Sequence, residues 1–115
     1  MENTKLYHIS GWEELFQLQI GDSFTLRPGT QCAEGKGVYF SENQPRPSAA
    51  EGSFQRTAIT IEIVISSSKG WWKTKNSICH KFGRPRTYHS CGKNIKCHIL
   101  DKQGWNKLTC SWEWA

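Results

Sequence analysis

The sequence lacks the features that mark a protein as membrane-spanning or secreted. No apolar run approaches the ~18 residues that a transmembrane helix needs. The segment MENTKLYHIS has no basic region followed by an apolar one, so it does not match a secretory signal. The five cysteines are an odd number, and a complete disulfide framework would leave one of them unpaired. These absences favour a cytoplasmic protein whose thiols are reduced or bound to metal.

Two common nucleotide-binding motifs are also missing. The glycine pair of Gly35-Lys36-Gly37 has no third glycine and precedes a predicted strand instead of following one, so it is not a dinucleotide fingerprint. No phosphate-binding loop of the Walker type is present. A nucleotide ligand would therefore have to be held by a different kind of fold.

Acidic residues are scarce in the second half of the chain. Residues 58–115 carry ten Lys and Arg against three Asp and Glu, whereas residues 1–57 carry five against seven. A basic half favours an anionic partner such as nucleic acid, a dinucleotide or an acidic protein, although a well-solvated surface gives the same composition.

The length and composition define a single domain over residues 1–115. At roughly 100–200 residues per domain there is no room for a second one, which excludes a large cofactor-dependent enzyme. The chain is 37% hydrophobic and 12% aromatic, which is enough to form a core. A compact enzyme and a binding module both remain open.

The hydrophobic pattern predicts an α+β domain that is mostly β, with one or two short helices. The clearest strand is 58–65, in which four isoleucines alternate with Thr60, Glu62 and Val64. Ser10 and Glu13 match a capping box, which predicts a helix that begins at Ser10 and ends by Gly21. Further strands are predicted at 5–9, 23–27, 38–41, 96–100 and 108–114, with a turn at 101–104.

Several short motifs occur in an order that resembles a known enzyme superfamily. Tyr7-His8-Ile9-Ser10 is followed by a short predicted helix, by Leu26-Arg27-Pro28-Gly29 and by Gly37-Val38-Tyr39-Phe40-Ser41. Across roughly the first 65 residues this resembles the ADP-ribosyltransferase superfamily, in particular the branch that uses a His, a Tyr and a Glu. That branch includes diphtheria-toxin-like enzymes, DNA-modifying toxin transferases and, more distantly, tRNA 2′-phosphotransferases.

The resemblance implies a fold, a cofactor and an activity. It implies a small, split and strongly bent β structure that binds NAD and transfers ADP-ribose to a macromolecular acceptor, either protein or nucleic acid. A chain of this size would suit a compact toxin or viral effector.

The resemblance also implies roles for individual residues. His8 would hydrogen-bond the ribose on the nicotinamide side of NAD, and Tyr39 would stack on the nicotinamide ring. A glutamate would oppose the positive charge that develops on the ribose as nicotinamide leaves. Strand order favours Glu113, which Trp112 and Trp114 would shield from water, and Glu62 is the alternative. Further contacts with NAD are expected from Ser10, from Arg27 through a phosphate, and from Ser41 at the ribose site.

Two other features of the basic half support different functions. Lysine residues and aromatic residues lie next to one another in the sequence around Trp71 and Trp72. This pattern predicts a surface that binds nucleic acid or an acidic protein. In an enzyme the same surface would face the acceptor through Lys73, Lys75, Arg84 and Arg86. A zinc site is a third hypothesis, built from Cys79, Cys91, Cys97 and Cys110 with neighbouring histidines, but no two of these cysteines have the short spacing that chelates locally.

Overall fold

The computed structural model describes residues 3–29, 34–44, 59–75, 78–79, 84–85, 87–104 and 106–115. For residues 78–79 and 84–85 it describes the backbone alone. The prediction of a mostly-β domain is confirmed, since ten strands and one short 3₁₀ helix account for the regular structure of these residues.

Five strands form the larger sheet, in the order β1-β4-β10-β9-β2. Their bounds are Thr4–Ser10 (β1), Ser23–Leu26 (β2), Ile59–Ile65 (β4), Ile95–Gln103 (β9) and Lys107–Trp114 (β10). β10 runs parallel to β4, and the other neighbouring pairs are antiparallel. This order places the isoleucine strand β4 between the first strand and the last.

Alternation along the strands gives the larger sheet one apolar face. Ile59, Ile61, Ile63 and Ile65 are buried on it, as the sequence pattern predicts. Leu108 and Cys110 of β10 are buried with them, and Trp112 packs against the same core. The Trp112 indole donates a 2.8 Å hydrogen bond to the Val64 carbonyl oxygen, which fixes the end of β10 beside β4.

A buried polar cluster lies on the opposite face of β1, β4 and β10. Tyr7 pairs with Glu62 across the sheet, and the Lys107 ammonium lies 3.0 Å from the Glu62 carboxylate. Burial, together with a hydrogen bond to Glu62 and its charge, raises the pKa of Tyr7 to about 12. Burial alone would raise the pKa of Glu62, but hydrogen bonds from Lys107 and Tyr7 and the charges of Lys107 and Lys5 hold it below its usual range.

A three-stranded sheet, in the order β3-β8-β5, packs against the larger one. Its strands are Tyr39–Phe40 (β3), Trp72–Lys73 (β5) and Tyr88–His89 (β8), and a separate two-stranded pair joins Ile78–Cys79 (β6) to Arg84–Pro85 (β7). Two backbone hydrogen bonds of 2.8 and 3.0 Å join Tyr7 to Ser41 directly after β3. The small sheet is thus attached to the edge strand of the large one, next to His8.

The predicted helix is wrong in its start, type and length. Ser10 is the last residue of β1 and pairs with Ile59, and its hydroxyl accepts a 3.2 Å hydrogen bond from the Trp12 amide. Only a 3₁₀ helix follows, over Glu13–Gln17, and no side chain caps it. Trp12, two residues after Ser10, is extended, with φ −83° and ψ 91°, so no helical turn follows Ser10 and the capping box does not form.

The predicted turn at 101–104 is also displaced. β9 extends to Gln103, so its hairpin with β10 turns at Gly104, which has a φ of 62°. Thr109 pairs with Asp101 and Cys110 with Ile99, so Leu100 is an extra residue in β9, and its side chain is exposed. This β-bulge lengthens the strand beyond the point where its alternation predicts an end.

Candidate functional site

His8 and Tyr39 lie in contact where the two sheets meet. His8 Nδ1 is 2.9 Å from the Tyr39 carbonyl oxygen, and the His8 ring packs on Phe40 with centroids 5.4 Å apart. A carbonyl oxygen can only accept, so Nδ1 carries a proton and donates to it. This hydrogen bond sets the orientation of the His8 ring beside Tyr39.

A row of three rings crosses the small sheet next to this contact. His89 is the direct cross-strand partner of both Tyr39 and Trp72. The Tyr39 and His89 ring centroids are 4.7 Å apart. Those of His89 and Trp72 are 6.1 Å apart, and these two rings are within 18° of parallel. Tyr39, His89 and Trp72 together form the aromatic row.

His89 is buried in the middle of the aromatic row and held at both ring nitrogens. Its Nε2 donates to the Glu34 carbonyl oxygen at 3.1 Å, and its Nδ1 accepts from the Cys91 amide at 3.0 Å. A side chain at Gly37 would clash, since a Cβ there would lie 2.6 Å from His89 Nδ1. These contacts fix the position of the ring between Tyr39 and Trp72.

Glu34 is the acidic residue that the structure places beside the aromatic row. Its amide donates to the Tyr39 hydroxyl at 3.2 Å, and that hydroxyl donates to the Gly35 carbonyl oxygen. Its half-buried carboxylate accepts from the Lys75 amide at 2.9 and 3.0 Å. Sequence reasoning missed it because the resemblance directs attention to acids that follow Tyr39. The available signal was its position directly before the two glycines that lead into β3.

Neither predicted glutamate reaches His8 and Tyr39. Register places His8 opposite Ile61 and Ile61 opposite Leu108, and Glu113 lies five residues farther along β10, about 17 Å at 3.3 Å per residue. Alternation puts its side chain on the other face of the sheet. There it is 60% exposed and lies 3.5 Å from His98, so the expectation that Trp112 and Trp114 shield it is wrong.

Glu62 is closer to His8 in register but faces away from it. It pairs with Tyr7, the residue before His8, and its carboxylate is bound by Lys107 on the face opposite the isoleucines. As positioned, it is part of the polar cluster described above and does not reach the His8 ring.

The three residues expected to contact NAD besides His8 and Tyr39 lie in different places. The Ser10 hydroxyl is bonded to the Trp12 amide. Ser41 is buried and its hydroxyl donates to the Asn43 carbonyl oxygen at 3.0 Å. Arg27 follows β2 at the far edge of the larger sheet, four strand spacings or about 19 Å from β1. The structure thus brings Ser41 near His8, but not Arg27.

The predicted acceptor-facing residues divide between described and undescribed parts of the chain. Lys73 and Lys75 are exposed at and just after β5, next to Trp72. Arg84 begins β7, where only the backbone is described, and Arg86 lies outside the described residues.

The residues of the zinc hypothesis are separated in the part of the chain that can be described. Cys97 and Cys110 are buried side by side, and a hydrogen bond between them together with burial raises the pKa of Cys97 far above its usual range. Cys91 is exposed. Among the described residues no group of three or more His, Cys, Asp or Glu side chains is arranged to hold a metal ion, and the Cys79 side chain is not among them.

Comparison with known protein families, curated proteins and solved structures finds no match to this chain. The described residues contain no helix that is long and apolar enough to cross a membrane.

Proposed function

We propose that the protein binds NAD beside His8 and Tyr39 and transfers its ADP-ribose to a macromolecular acceptor. The observation that supports this most is the 2.9 Å hydrogen bond from His8 Nδ1 to the Tyr39 carbonyl oxygen, which brings together two residues that the resemblance pairs. NAD is the substrate that supplies the ADP-ribose.

The reaction needs a group that orients the ribose and one that opposes positive charge. The His8 imidazole hydrogen-bonds a ribose hydroxyl, and the Tyr39 ring packs against the cationic nicotinamide. We assign the role of the carboxylate to Glu34, whose backbone is hydrogen-bonded to Tyr39 and His89 and whose carboxylate accepts from the Lys75 amide.

In the transfer step the bond between ribose C1′ and the nicotinamide nitrogen breaks, and its electron pair leaves on nicotinamide. A lone pair from an oxygen or nitrogen of the acceptor forms the new bond to C1′. The proton of that acceptor group passes to water, and nothing is oxidised or reduced.

Nicotinamide release from NAD, with and without cell lysate, tests the proposal. We expect His8→Asn to lower the rate at least about tenfold, the effect of losing one positioning hydrogen bond. His98→Asn is the matched control, since His98 lies on the far face of the sheet with Glu113. No release by the wild-type protein under either condition would overturn the proposal.

Glu34→Gln and Glu113→Gln, assayed in parallel, decide which carboxylate acts. Gln keeps the size of the side chain and removes the charge. We expect a loss of about a hundredfold or more for Glu34→Gln, in line with the removal of one electrostatic stabiliser. A comparable loss for Glu113→Gln alone would instead show that Glu113 acts and that Glu34 does not.

A further inference from the structure

The exposed end of the aromatic row has the properties of a stacking platform. Trp72 is 49% exposed, whereas its cross-strand partner His89 is only 3% exposed. The indole is held nearly parallel to the His89 ring. Because His89 is fixed at both nitrogens, it supports the indole without having to be ordered when a ligand arrives.

The segments that form the small sheet and its loops carry a net positive charge. The described segments 34–44, 69–75 and 87–94 contain five lysines against two glutamates. All five lysines are exposed, and they are Lys36, Lys69, Lys73, Lys75 and Lys93. Of the two glutamates, Glu34 is half-buried and bound by the Lys75 amide, and Glu42 is exposed. The net charge of the segments that carry Trp72 therefore favours a polyanion.

We infer that this surface binds single-stranded nucleic acid, with a base stacked on Trp72 and a phosphate bound by Lys75. A flat exposed ring among flexible cations suits an unpaired base on a charged backbone, since every base presents a π face. A duplex hides those faces, and an acidic peptide has no ring that needs the indole. The inference deepens the proposed function by naming single-stranded nucleic acid as the acceptor, and only the transfer step rests on that function.

Binding of a fluorescein-labelled 20-nucleotide oligo(dT) without NAD tests the inference, measured by anisotropy at several salt concentrations. We expect Trp72→Ala to weaken binding about tenfold or more, and Trp72→Phe, which keeps a ring, to weaken it less. The matched control is Trp12→Ala, because Trp12 is 54% exposed beside the 3₁₀ helix and away from the small sheet. Its affinity should equal that of the wild type.

Lys75 should affect the salt dependence of binding. Loss of its phosphate contact in Lys75→Gln should reduce the slope of log affinity against log salt by about 0.7. Equal affinity for a duplex, or equal loss for Trp72→Ala and Trp12→Ala, would overturn the inference. So would poly-glutamate displacing the oligonucleotide at matched charge, since the surface would then bind acidic protein. Because NAD is left out, a protein that binds oligo(dT) but releases no nicotinamide would contradict the proposed function alone.

Discussion

The buried pair of Tyr7 and Glu62 should make the protein less stable at alkaline pH. Burial and the neighbouring carboxylate raise the pKa of Tyr7 to about 12, from 10.0. The folded protein therefore holds the phenolic proton more tightly than the unfolded chain does. The stabilisation is complete below pH 10, where Tyr7 is protonated in both states, and it is lost as the pH rises towards 12.

The size of the effect follows from the pKa difference. Two pKa units at 1.36 kcal/mol each correspond to a total loss of about 2.7 kcal/mol, with about half of it, or about 1.4 kcal/mol, lost by pH 11. Tyr7→Phe removes the titrating group and also the hydrogen bond to Glu62. It should be clearly less stable than the wild type at pH 8, and the difference should narrow by about 1.4 kcal/mol at pH 11.

Chemical denaturation of both proteins at pH 8 and pH 11 measures this difference. Titration of the other groups, including the lysines, contributes to both proteins and largely cancels in the comparison. The phenolate absorbance of the two proteins gives a second test. The wild type should absorb more than Tyr7→Phe only near pH 12, where Tyr7 loses its proton. If the free-energy difference between the two proteins is the same at both pH values, Tyr7 is not perturbed as described and the reasoning fails.

Two further predictions concern acid pH and the packing around His89. The lowered pKa of Glu62 gives stability that is present above its unfolded value of about 4.3 and is lost as the pH falls through the folded value. Urea midpoints between pH 6 and pH 3 should therefore fall less for Glu62→Gln than for the wild type, and parallel curves would contradict this. Gly37→Ala places a Cβ 2.6 Å from His89 Nδ1 and should cost about 1–3 kcal/mol in thermal denaturation. Gly29→Ala, which meets nothing within 4 Å, is its control, and equal stability of the two variants would refute the clash.

Much of the larger sheet could be predicted because its strands are long enough to show alternation. β4 and β10 have the predicted inner faces. β10 begins one residue before its predicted start, and residue 58, where β4 is predicted to begin, lies outside the described residues. The capping box predicted a helix from Ser10, but β1 continues to Ser10, which pairs with Ile59, and the helix begins only at Glu13. This pairing partner lies 49 residues away in the sequence. No local pattern reports such a partner.

The candidate site was harder to predict than the larger sheet, because it is formed by strands that are far apart in the sequence. β3, β5 and β8 have two residues each, which is too short for any periodicity. Tyr39, His89 and Trp72 become neighbours only through cross-strand register. The resemblance pointed to His8 and Tyr39. Alternation within β1 and within β10 does not show that His8 and Glu113 project from opposite faces of the sheet, because that depends on how both strands pair with β4.

The strand order also bears on how the chain folds. In the order β1-β4-β10-β9-β2, β9 and β10 are the one neighbouring pair that is consecutive in the described sequence. Their hairpin closes a short loop, whereas β1 must find β4 across some fifty residues, as the pairing of Ser10 with Ile59 shows. Loop-closure entropy makes such non-local pairing slow, so the contact order is high and folding should take milliseconds to seconds. We therefore expect the C-terminal hairpin to form first and the site between the two sheets to be assembled after β1 has paired with β4.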